Sequence, residues 1–281
     1  MKKTNYHIHT NYCDGENSIE EMVQMAIAKG FDNIGISSHA PLMYQNDWTM
    51  PENALPQYFN ELSQVSQKYQ TKMKVFKGLE IDYYLPNHDL SPLCKSCLDK
   101  LDYWIGSIHC LGLIDNGDVS YIDDTKESLQ KGIDQIYGGD IKKAVCQYYT
   151  GIGEMAEKFH PDIIGHIDII KKNNEDHYFF DDSSEWYENA WHNALDQIKK
   201  AGSILEINTG GAFRYGLRCL YPSEAILKEA IKMKIPLTIN TDAHSFEAID
   251  YLIKDALYYL SQHGQDTLMV YNGKDWVSQK I

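Results

Sequence analysis

Histidine and acidic residues recur in this chain at the ends of short apolar segments. His7 and His9 close the first segment, and Asp242 and His244 close the last. Residues two apart on a strand point to the same face, so each of these pairs can reach one ion. The segments between them end at His39, Glu80, His109 and His166. Imidazole and carboxylate groups that recur in this way predict a site for several divalent metal ions.

Such residues need elements that bring them together, and the chain alternates strand-like with helix-like segments. The predicted strands cover residues 5–10, 34–38, 75–81, 103–108, 163–165, 203–207 and 236–240. The predicted helices cover residues 18–30, 55–69, 93–98, 138–159, 184–201, a segment that starts at Pro222, and 246–263. This alternation is typical of βαβ units and a parallel sheet, and about seven repeats favour a closed barrel. The metal-ligand residues would then lie at the C-terminal rim of the strands, where barrel sites are built.

Two segments allow finer local predictions. Ser18 is a candidate N-cap with Glu21 three residues later, and Gly30 is a candidate C-cap of the same helix. Residues 111–126 are acidic and rich in turn residues around Asn116. We therefore expect a long loop over the mouth of the barrel, of the kind that carries specificity in many enzymes.

The bulk composition limits the classes of partner. The length suffices for one large α/β domain, and no linker or repeat divides residues 1–281. The chain has 40 Asp and Glu against 26 Lys and Arg, and its formal charge of −14 disfavours nucleic acid and anionic membranes. No apolar run approaches the length of a membrane span.

Cysteine usage and the first residues indicate a compartment. The six cysteines are scattered and predict no disulfide framework, which fits a reducing environment. Cys94 and Cys97 form a lone CxxC, which indicates two packed residues one helical turn apart rather than a zinc site. No apolar segment follows Lys2 and Lys3, so we expect no signal peptide. The sequence thus predicts a cytoplasmic protein and leaves its oligomeric state open.

The order of the metal-ligand residues resembles that of the PHP (polymerase and histidinol phosphatase) superfamily. The resemblance is carried by His7-Ile8-His9, His39, Glu80, His109, His166 and Asp242-Ala243-His244, which span nearly the whole chain. Within the superfamily the chain most resembles the histidinol-phosphatase branch. The cues for that branch lie at residues 38–41, 78–83, 106–109, 206–210 and 221–223.

The resemblance implies a trinuclear metal site on a distorted (β/α)7 TIM-like barrel. It implies three sets of ligands, namely His7, His9, Glu80 and Asp242; His39, His244 and a residue of the first loop; and Glu80, His109 and His166. Many members have a histidine in that loop, whereas residues 11–15 contain none, so Asp14 is the candidate ligand. An ordinary Asp-Gly turn before the helix is the alternative interpretation of Asp14. Sites of this composition accept Zn, Mn or Fe, and the sequence does not choose among them.

The charge balance of such a site favours a phosphate substrate. Three divalent ions would outweigh the carboxylates of Asp14, Glu80 and Asp242, which leaves a positive site in an acidic protein. The chain has only two arginines, Arg214 and Arg218, and both follow the sixth predicted strand. A planar guanidinium suits phosphate better than the point charge of lysine, so we expect at least one of them to bind the phosphate. The alternative is that both are ordinary surface residues.

The activity that the resemblance implies is hydrolysis of L-histidinol phosphate to L-histidinol and phosphate, in histidine biosynthesis, by a metal-activated hydroxide. Asp242 is the predicted proton acceptor as well as a ligand, and His244 is placed beside it among the catalytic residues. Asp47, Trp48 and Asp82 are candidates to contact the imidazole and amine of this small substrate, although Trp48 could simply cover apolar surface. The alternatives are a phosphoesterase for a nucleotide or phosphotyrosine, an amidohydrolase, and a non-catalytic metal-binding module.

Overall fold

The computed structural model describes residues 2–115 and 117–281 and has an α/β architecture. Asn116 in the predicted turn and the first residue of the predicted domain lie outside this range. The helices are Ile19–Ala28 (α1), Leu55–Tyr69 (α2), Pro92–Lys95 (α3), Lys126–Tyr137 (α4), Ile141–Phe159 (α5), Glu185–Ala201 (α6), Gly210–Tyr215 (α7), Glu224–Met233 (α8) and Ile253–Gln262 (α9). The strands are Thr4–Asn5 (β1), Asn33–Ile36 (β2), Lys74–Lys77 (β3), Glu80–Tyr84 (β4), Asp89–Leu90 (β5), Ile105–Ser107 (β6), Cys110–Leu113 (β7), Val119–Tyr121 (β8), Ile163–Ile164 (β9), Ile204–Asn208 (β10), Leu237–Asn240 (β11), Thr267–Tyr271 (β12) and Trp276–Lys280 (β13).

Two parallel sheets form the centre of the molecule. One has the order β1-β2-β3, and the other has the order β11-β10-β9-β6-β4, with β5 added antiparallel to β4. Isolated parallel bridges connect the two sheets on both sides, at Ile8–Ala243 and at His39–Glu80. The predicted parallel α/β arrangement is therefore confirmed, and the C-terminal ends of the strands face one side of the molecule.

The third predicted strand, over residues 75–81, is interrupted rather than continuous. β3 pairs with β2, whereas β4 pairs with β6, so the chain changes sheets between Lys77 and Glu80. Gly78 lies at this change, and a Cβ atom there would approach the Tyr103 ring to 2.4 Å. The chain at the interruption thus lies against Tyr103, which precedes β6, and the local sequence pattern does not reveal this contact.

The long helices form from the periodicity that the sequence shows. α2 buries Leu55, Tyr58, Leu62, Val65 and Tyr69, spaced by three and four residues along one face. α1 begins with the predicted capping box, in which Ser18 and Glu21 each bind the backbone amide of the other. These two helices confirm the predictions for residues 18–30 and 55–69. None of the described helices combines the length and apolar character that crossing a bilayer requires.

Several elements differ from the expected ones. The expected loop over residues 111–126 contains the antiparallel hairpin β7–β8, and α4 and α7 were not predicted. The last predicted helix, over residues 246–263, is shorter because Leu252 has a positive φ of 53° and α9 starts after it. Each difference arises where turn residues and tertiary contacts override the local pattern.

The hairpin β12–β13, also not predicted, covers the N-terminal ends of the parallel strands. Beneath it lies a buried group that we call the amino-end cluster, formed by Tyr6, Phe76, Tyr103, Ile105, Ile163, Ile204 and Tyr271. Trp276 of β13 packs against this cluster, and its Nε1 donates a hydrogen bond to Asp162 Oδ1 at 2.9 Å. This end of the sheets is thus closed by aromatic packing.

Candidate metal centre

The predicted ligands meet at the C-terminal ends of the parallel strands. All of them except Asp14 lie in a strand or within a few residues after one, and His7, His9 and Glu80 are completely buried. Their ring nitrogens and carboxylate oxygens form three overlapping groups that could hold ions: His7, His9 and Asp242; His9, Asp14, His39 and His244; and His39, Glu80 and His109. His166 adjoins the third group. The structure thus brings together all nine residues that the sequence singled out as ligands.

Glu80 lies at the centre of this arrangement. Its Oε2 atom is 3.1 Å from His7 Nε2, 3.4 Å from His9 Nε2 and 2.9 Å from His39 Nδ1. Its Oε1 atom is 2.9 Å from His166 Nε2. A single carboxylate therefore faces four imidazoles from three strand ends, as a bridging ligand would.

His109 and His166 approach Glu80 from the neighbouring strands. Their Nε2 atoms lie 3.3 Å apart, and His109 Nε2 is 3.7 Å from Glu80 Oε1. Ser107 donates a hydrogen bond to the same oxygen at 2.6 Å. These distances support the ligand set of Glu80, His109 and His166.

Asp14 joins the cluster from the first loop. Its Oδ1 atom is 3.3 Å from His244 Nε2, 3.9 Å from His39 Nε2 and 4.0 Å from His9 Nδ1. The loop folds tightly back on the chain before it, because a Cβ atom at Gly15 would lie 2.5 Å from the Thr10 nitrogen. Asp14 therefore lies close enough to His9, His39 and His244 to share an ion with them.

Asp242 follows β11 and is held in an uncommon backbone conformation. Its φ is +44°, a left-handed value that a non-glycine residue adopts at an energetic cost. In this conformation Oδ1 lies 3.0 Å from His9 Nε2, and Arg214 donates to Oδ2 at 2.8 Å. The strained backbone thus aims one oxygen at the cluster and the other at a cation.

The residues fit divalent cations because buried donor atoms face one another without hydrogen bonds. His7 Nε2, His9 Nε2, His39 Nδ1 and Glu80 Oε2 are all buried and have no hydrogen-bond partner among the described residues. Leaving such an atom unpaired costs about 1–3 kcal/mol. A cation between these atoms would satisfy them together.

Two carboxylates and one imidazole of the cluster have protonation states that favour metal binding, whereas Glu206 and Glu80 raise the pKa of His7 against the effect of burial. Burial alone would raise the pKa of Glu80, but His7, His39 and His109 hold it well below its usual range. Burial likewise acts against the charge of Asp242, and Arg214 and His7 lower its pKa. Burial and the neighbouring His244 and His39 keep the pKa of His9 low, so this ring stays neutral. Ionised carboxylates and neutral imidazoles are the forms that bind metals.

Acidic residues outside the cluster orient its imidazoles. Glu206 on β10 accepts from His7 Nδ1 at 2.7 Å, and Asp82 on β4 accepts from His109 Nδ1 at 3.0 Å. Both leave Nε2 of the ring directed at the cluster, and partners of this kind fix the ligand tautomer. Residue spacing alone does not indicate this role for Glu206. Asp82, predicted as a candidate substrate contact, hydrogen-bonds His109 instead and is not among the residues that line the cavity.

The two arginines occupy different places. Arg214 donates to the Asp242 carbonyl oxygen at 3.0 Å, in addition to the carboxylate. Arg218 donates instead to the Lys172 carbonyl oxygen at 3.1 Å and lies near Glu175 on the rim, where its side chain is 48 % exposed. The helix that carries Arg214 ends at Gly216, whose φ is +87°, so the two side chains diverge. Of the two, the structure brings Arg214 to the metal centre.

Glycines allow α7 to lie close enough for this contact. A Cβ atom on Gly210 would lie 2.6 Å from the Thr241 carbonyl oxygen, and one on Gly211 would lie 2.3 Å from the Cys219 carbonyl oxygen. The segment after β10 can therefore pack directly on the chain around Asp242. This close approach places Arg214 beside the cluster.

A cavity of about 760 Å³ opens onto the cluster. Trp48 lines it and packs edge-on against His39 and His109, with centroid distances of 4.6 Å and 5.4 Å. Tyr121 and residues 123–125, from the segment expected over the mouth, line it too. The expected position of that segment is therefore confirmed, although it contains a hairpin.

The model of the PHP domain family matches residues 5–210. The chain belongs to the PHP domain family. His7, His9, Asp14, His39, Glu80, His109 and His166 lie within the matched PHP segment, while Arg214, Asp242 and His244 follow it in the chain. The family that the ligand order resembled is thus confirmed.

Named relatives of this PHP protein extend over most of its length. It is 28 % identical over 289 residues to a "Probable histidinol-phosphatase" of Schizosaccharomyces pombe, covering 96 % of this chain and 90 % of the relative. It is 28 % identical over 267 residues to the histidinol-phosphatase of Bacillus subtilis, covering 89 % and 97 %.

A solved structure shares the fold. The crystal structure of histidinol phosphate phosphatase from Lactococcus lactis, in complex with zinc, L-histidinol and phosphate, superposes with a TM-score of 0.75. The sequences are 22 % identical, and the match covers 98 % of this chain and 99 % of the other. The arrangement of sheets and helices in this PHP protein therefore occurs over a complete related chain.

Proposed function

We propose that this PHP protein is a metal-dependent phosphomonoesterase that hydrolyses L-histidinol phosphate to L-histidinol and phosphate, a step of histidine biosynthesis. The observation that carries the proposal is the convergence of unpaired, buried ligand atoms around Glu80, beside Arg214 and at the bottom of an open cavity. The substrate is taken from the two relatives that match most of the chain. An enzyme built in this way needs no covalent intermediate on the protein.

We propose the three ligand sets that the PHP resemblance implies, and short distances within the cluster support them. His7, His9, Glu80 and Asp242 would hold the first ion; Asp14, His39 and His244 the second; and Glu80, His109 and His166 the third. Divalent ions at these positions would activate water and neutralise charge on the phosphate. Zinc, manganese and iron all suit histidine and carboxylate ligands, so the proposal covers the three metals.

The chain itself would bind the phosphate and handle the proton. Arg214 is tied to Asp242 through two of its donors and still lines the cavity, so it can donate to a phosphate oxygen. Asp242 stays ionised and presents Oδ1 to the cluster, which suits it to accept a proton there. His244 Nδ1 lies 2.9 Å from both the Asp242 carbonyl oxygen and Arg214 Nη1, and its Nε2 faces Asp14, where it would serve as a ligand.

The proposal also covers closure of the barrel, the extent of the domain, the partner and the cellular location. The bridges Ile8–Ala243 and His39–Glu80 support closure of the two sheets into a distorted (β/α)7 barrel, with β3 and β4 as one interrupted strand. Residues 1–281 would form one phosphoesterase domain. A small phosphate ester is the proposed partner, and a cytoplasmic location without nucleic-acid or membrane binding stays a prediction from composition.

Phosphate release after metal reconstitution tests this function. We would load the protein separately with Zn²⁺, Mn²⁺ and Fe²⁺, measure bound metal by elemental analysis, and compare kcat/KM for L-histidinol phosphate, p-nitrophenyl phosphate, AMP and phosphotyrosine. A preference for L-histidinol phosphate by orders of magnitude is the expected result. Weak and equal rates on all four esters would refute L-histidinol phosphate as the substrate. If no phosphate were released although metals were bound, the proposed phosphatase activity would be refuted.

A further inference from the structure

The cavity has a second wall that the phosphate and the metal ligands leave unused. At about 760 Å³ the cavity is far larger than a phosphate group needs. The lining residues that are not proposed ligands include Asp47, Trp48, Tyr121, Asp123 and Asp124. This wall would meet the organic part of a phosphate ester.

Asp123 is the acidic residue of this wall that is most firmly connected to the metal centre. The preceding residue, Ile122, donates its backbone amide to the His109 carbonyl oxygen at 2.9 Å. Lys172 donates to the carbonyl oxygen of Asp123 itself. The backbone on both sides of the side chain is therefore held, and the half-buried carboxylate keeps a constant place relative to the ligands.

The Asp123 carboxylate shares one cavity with Arg214 and with several of the proposed metal ligands. His109, Asp242 and His244 line this cavity together with Asp123 and Arg214. No hydrogen bond or ion pair holds the Asp123 carboxylate among the residues that the structure describes.

Two buried hydroxyl groups in the same cavity lack partners. Tyr121 and Tyr221 both line the cavity, and neither hydroxyl has a hydrogen-bond partner within residues 2–115 and 117–281. Tyr221 is only 4 % exposed. Unpaired buried hydroxyls are costly, so their position indicates a polar ligand in this space.

We propose that Asp123 is a specificity-determining residue whose carboxylate binds the protonated amine of the substrate. This inference rests on the proposed function, because L-histidinol phosphate joins a phosphate dianion to an alkylammonium group. The site would then match two charged groups on neighbouring carbons of the substrate, with Arg214 and the metals at the phosphate and Asp123 at the ammonium group. The pairing explains how a strongly acidic cavity wall can assist the binding of a phosphate ester.

Asp123→Asn tests the inference by comparing two substrates. We expect kcat/KM for L-histidinol phosphate to fall about 10–100-fold, mainly through KM, because a charge-assisted hydrogen bond is lost. The rate on p-nitrophenyl phosphate, which has no cation, should stay within about twofold, as should metal content. The substrate analogue without the amino group should be hydrolysed equally by wild type and variant.

Asp115→Asn is the matched control, since it removes a carboxylate from the same hairpin outside the cavity lining. Retention of the wild-type preference for L-histidinol phosphate in Asp123→Asn would overturn the inference. An equal loss on both substrates would overturn it too, by placing Asp123 in support of the metal centre. Absence of the preference in the wild-type protein would instead refute the proposed function, so the two failures are distinguishable.

Discussion

The buried polar groups of the amino-end cluster, at the N-terminal ends of the parallel strands, are hydrogen-bonded, whereas several at the C-terminal ends have no hydrogen-bond partner among the described residues. In the amino-end cluster, Tyr103 donates its hydroxyl to the Tyr6 carbonyl oxygen at 2.6 Å, and the Tyr6 hydroxyl accepts from the Tyr271 amide at 2.9 Å. At the C-terminal ends, by contrast, Glu80 Oε2 and His7 Nε2 face each other 3.1 Å apart without a hydrogen bond. Both regions are buried, and only the first is satisfied by the protein.

This difference indicates that one end of the strands is built for packing and the other for binding. Each unpaired buried group costs about 1–3 kcal/mol, so folding alone gives no reason to gather several at one point. Backbone strain is found at the same end, where Asp242 has a φ of +44°. We conclude that the amino-end cluster stabilises the fold, whereas the metal centre depends on ligands that the chain does not supply.

Glu80→Gln should cause the largest loss of activity among these substitutions, because it changes the centre of the metal site. Glutamine keeps the volume of the side chain but loses the charge at the centre of the cluster. We expect kcat/KM to fall on the order of 10³-fold, because a metal site contributes several kcal/mol of transition-state stabilisation. Kinetics and elemental analysis would measure the change, with the exposed Glu188→Gln as the control. Full activity with metals bound would contradict the central role of Glu80.

Glu206→Gln should have a smaller effect that added metal reverses. Glu206 touches the ring of His7 rather than the ion, so its loss should weaken metal affinity about 10–100-fold. Chelator competition measures that affinity, and excess metal should restore most of kcat. Glu157→Gln, on the exposed side of α5, is the control. An unchanged affinity would show that His7 keeps its orientation without this carboxylate.

Tyr103→Phe should give the smallest change and affect stability instead of catalysis. The substitution removes the hydrogen bond to Tyr6 in the amino-end cluster, which we expect to lower the free energy of unfolding by about 1 kcal/mol. Thermal unfolding and kcat/KM would be measured together, with the exposed Tyr258→Phe as control. A lower kcat/KM without loss of stability would mean that the two ends are not independent.

Local patterns in the chain predict much of the fold and most of the proposed ligands. The HxH pair, the Asp-x-His pair and the helix faces depend on residue spacing alone, since strands and helices have fixed periods. The capping box of α1 is equally local, because Ser18 and Glu21 are three residues apart. These features are present in any conformation that forms the element, so they can be found before the structure is known.

Other features arise from residues that are distant in sequence. Glu206 looks like an ordinary strand residue until β10 places it against His7, which is 199 positions away. Arg214 and Arg218 are equivalent as phosphate-binding candidates by type and spacing. The turn at Gly216 separates them and leaves one beside Asp242.

The capacity to bind metals can therefore be predicted from the residue order, whereas the geometry of the site cannot. The types and spacing of the histidines and carboxylates already indicate metal binding, since ligand chemistry belongs to the side chains themselves. The tertiary structure selects Arg214 over Arg218, recruits Glu206 and Asp82, and places Asp123 and the unpaired tyrosine hydroxyls around one cavity. These choices depend on how strands from the two sheets and their loops pack in space, and that packing has no local signature in the sequence.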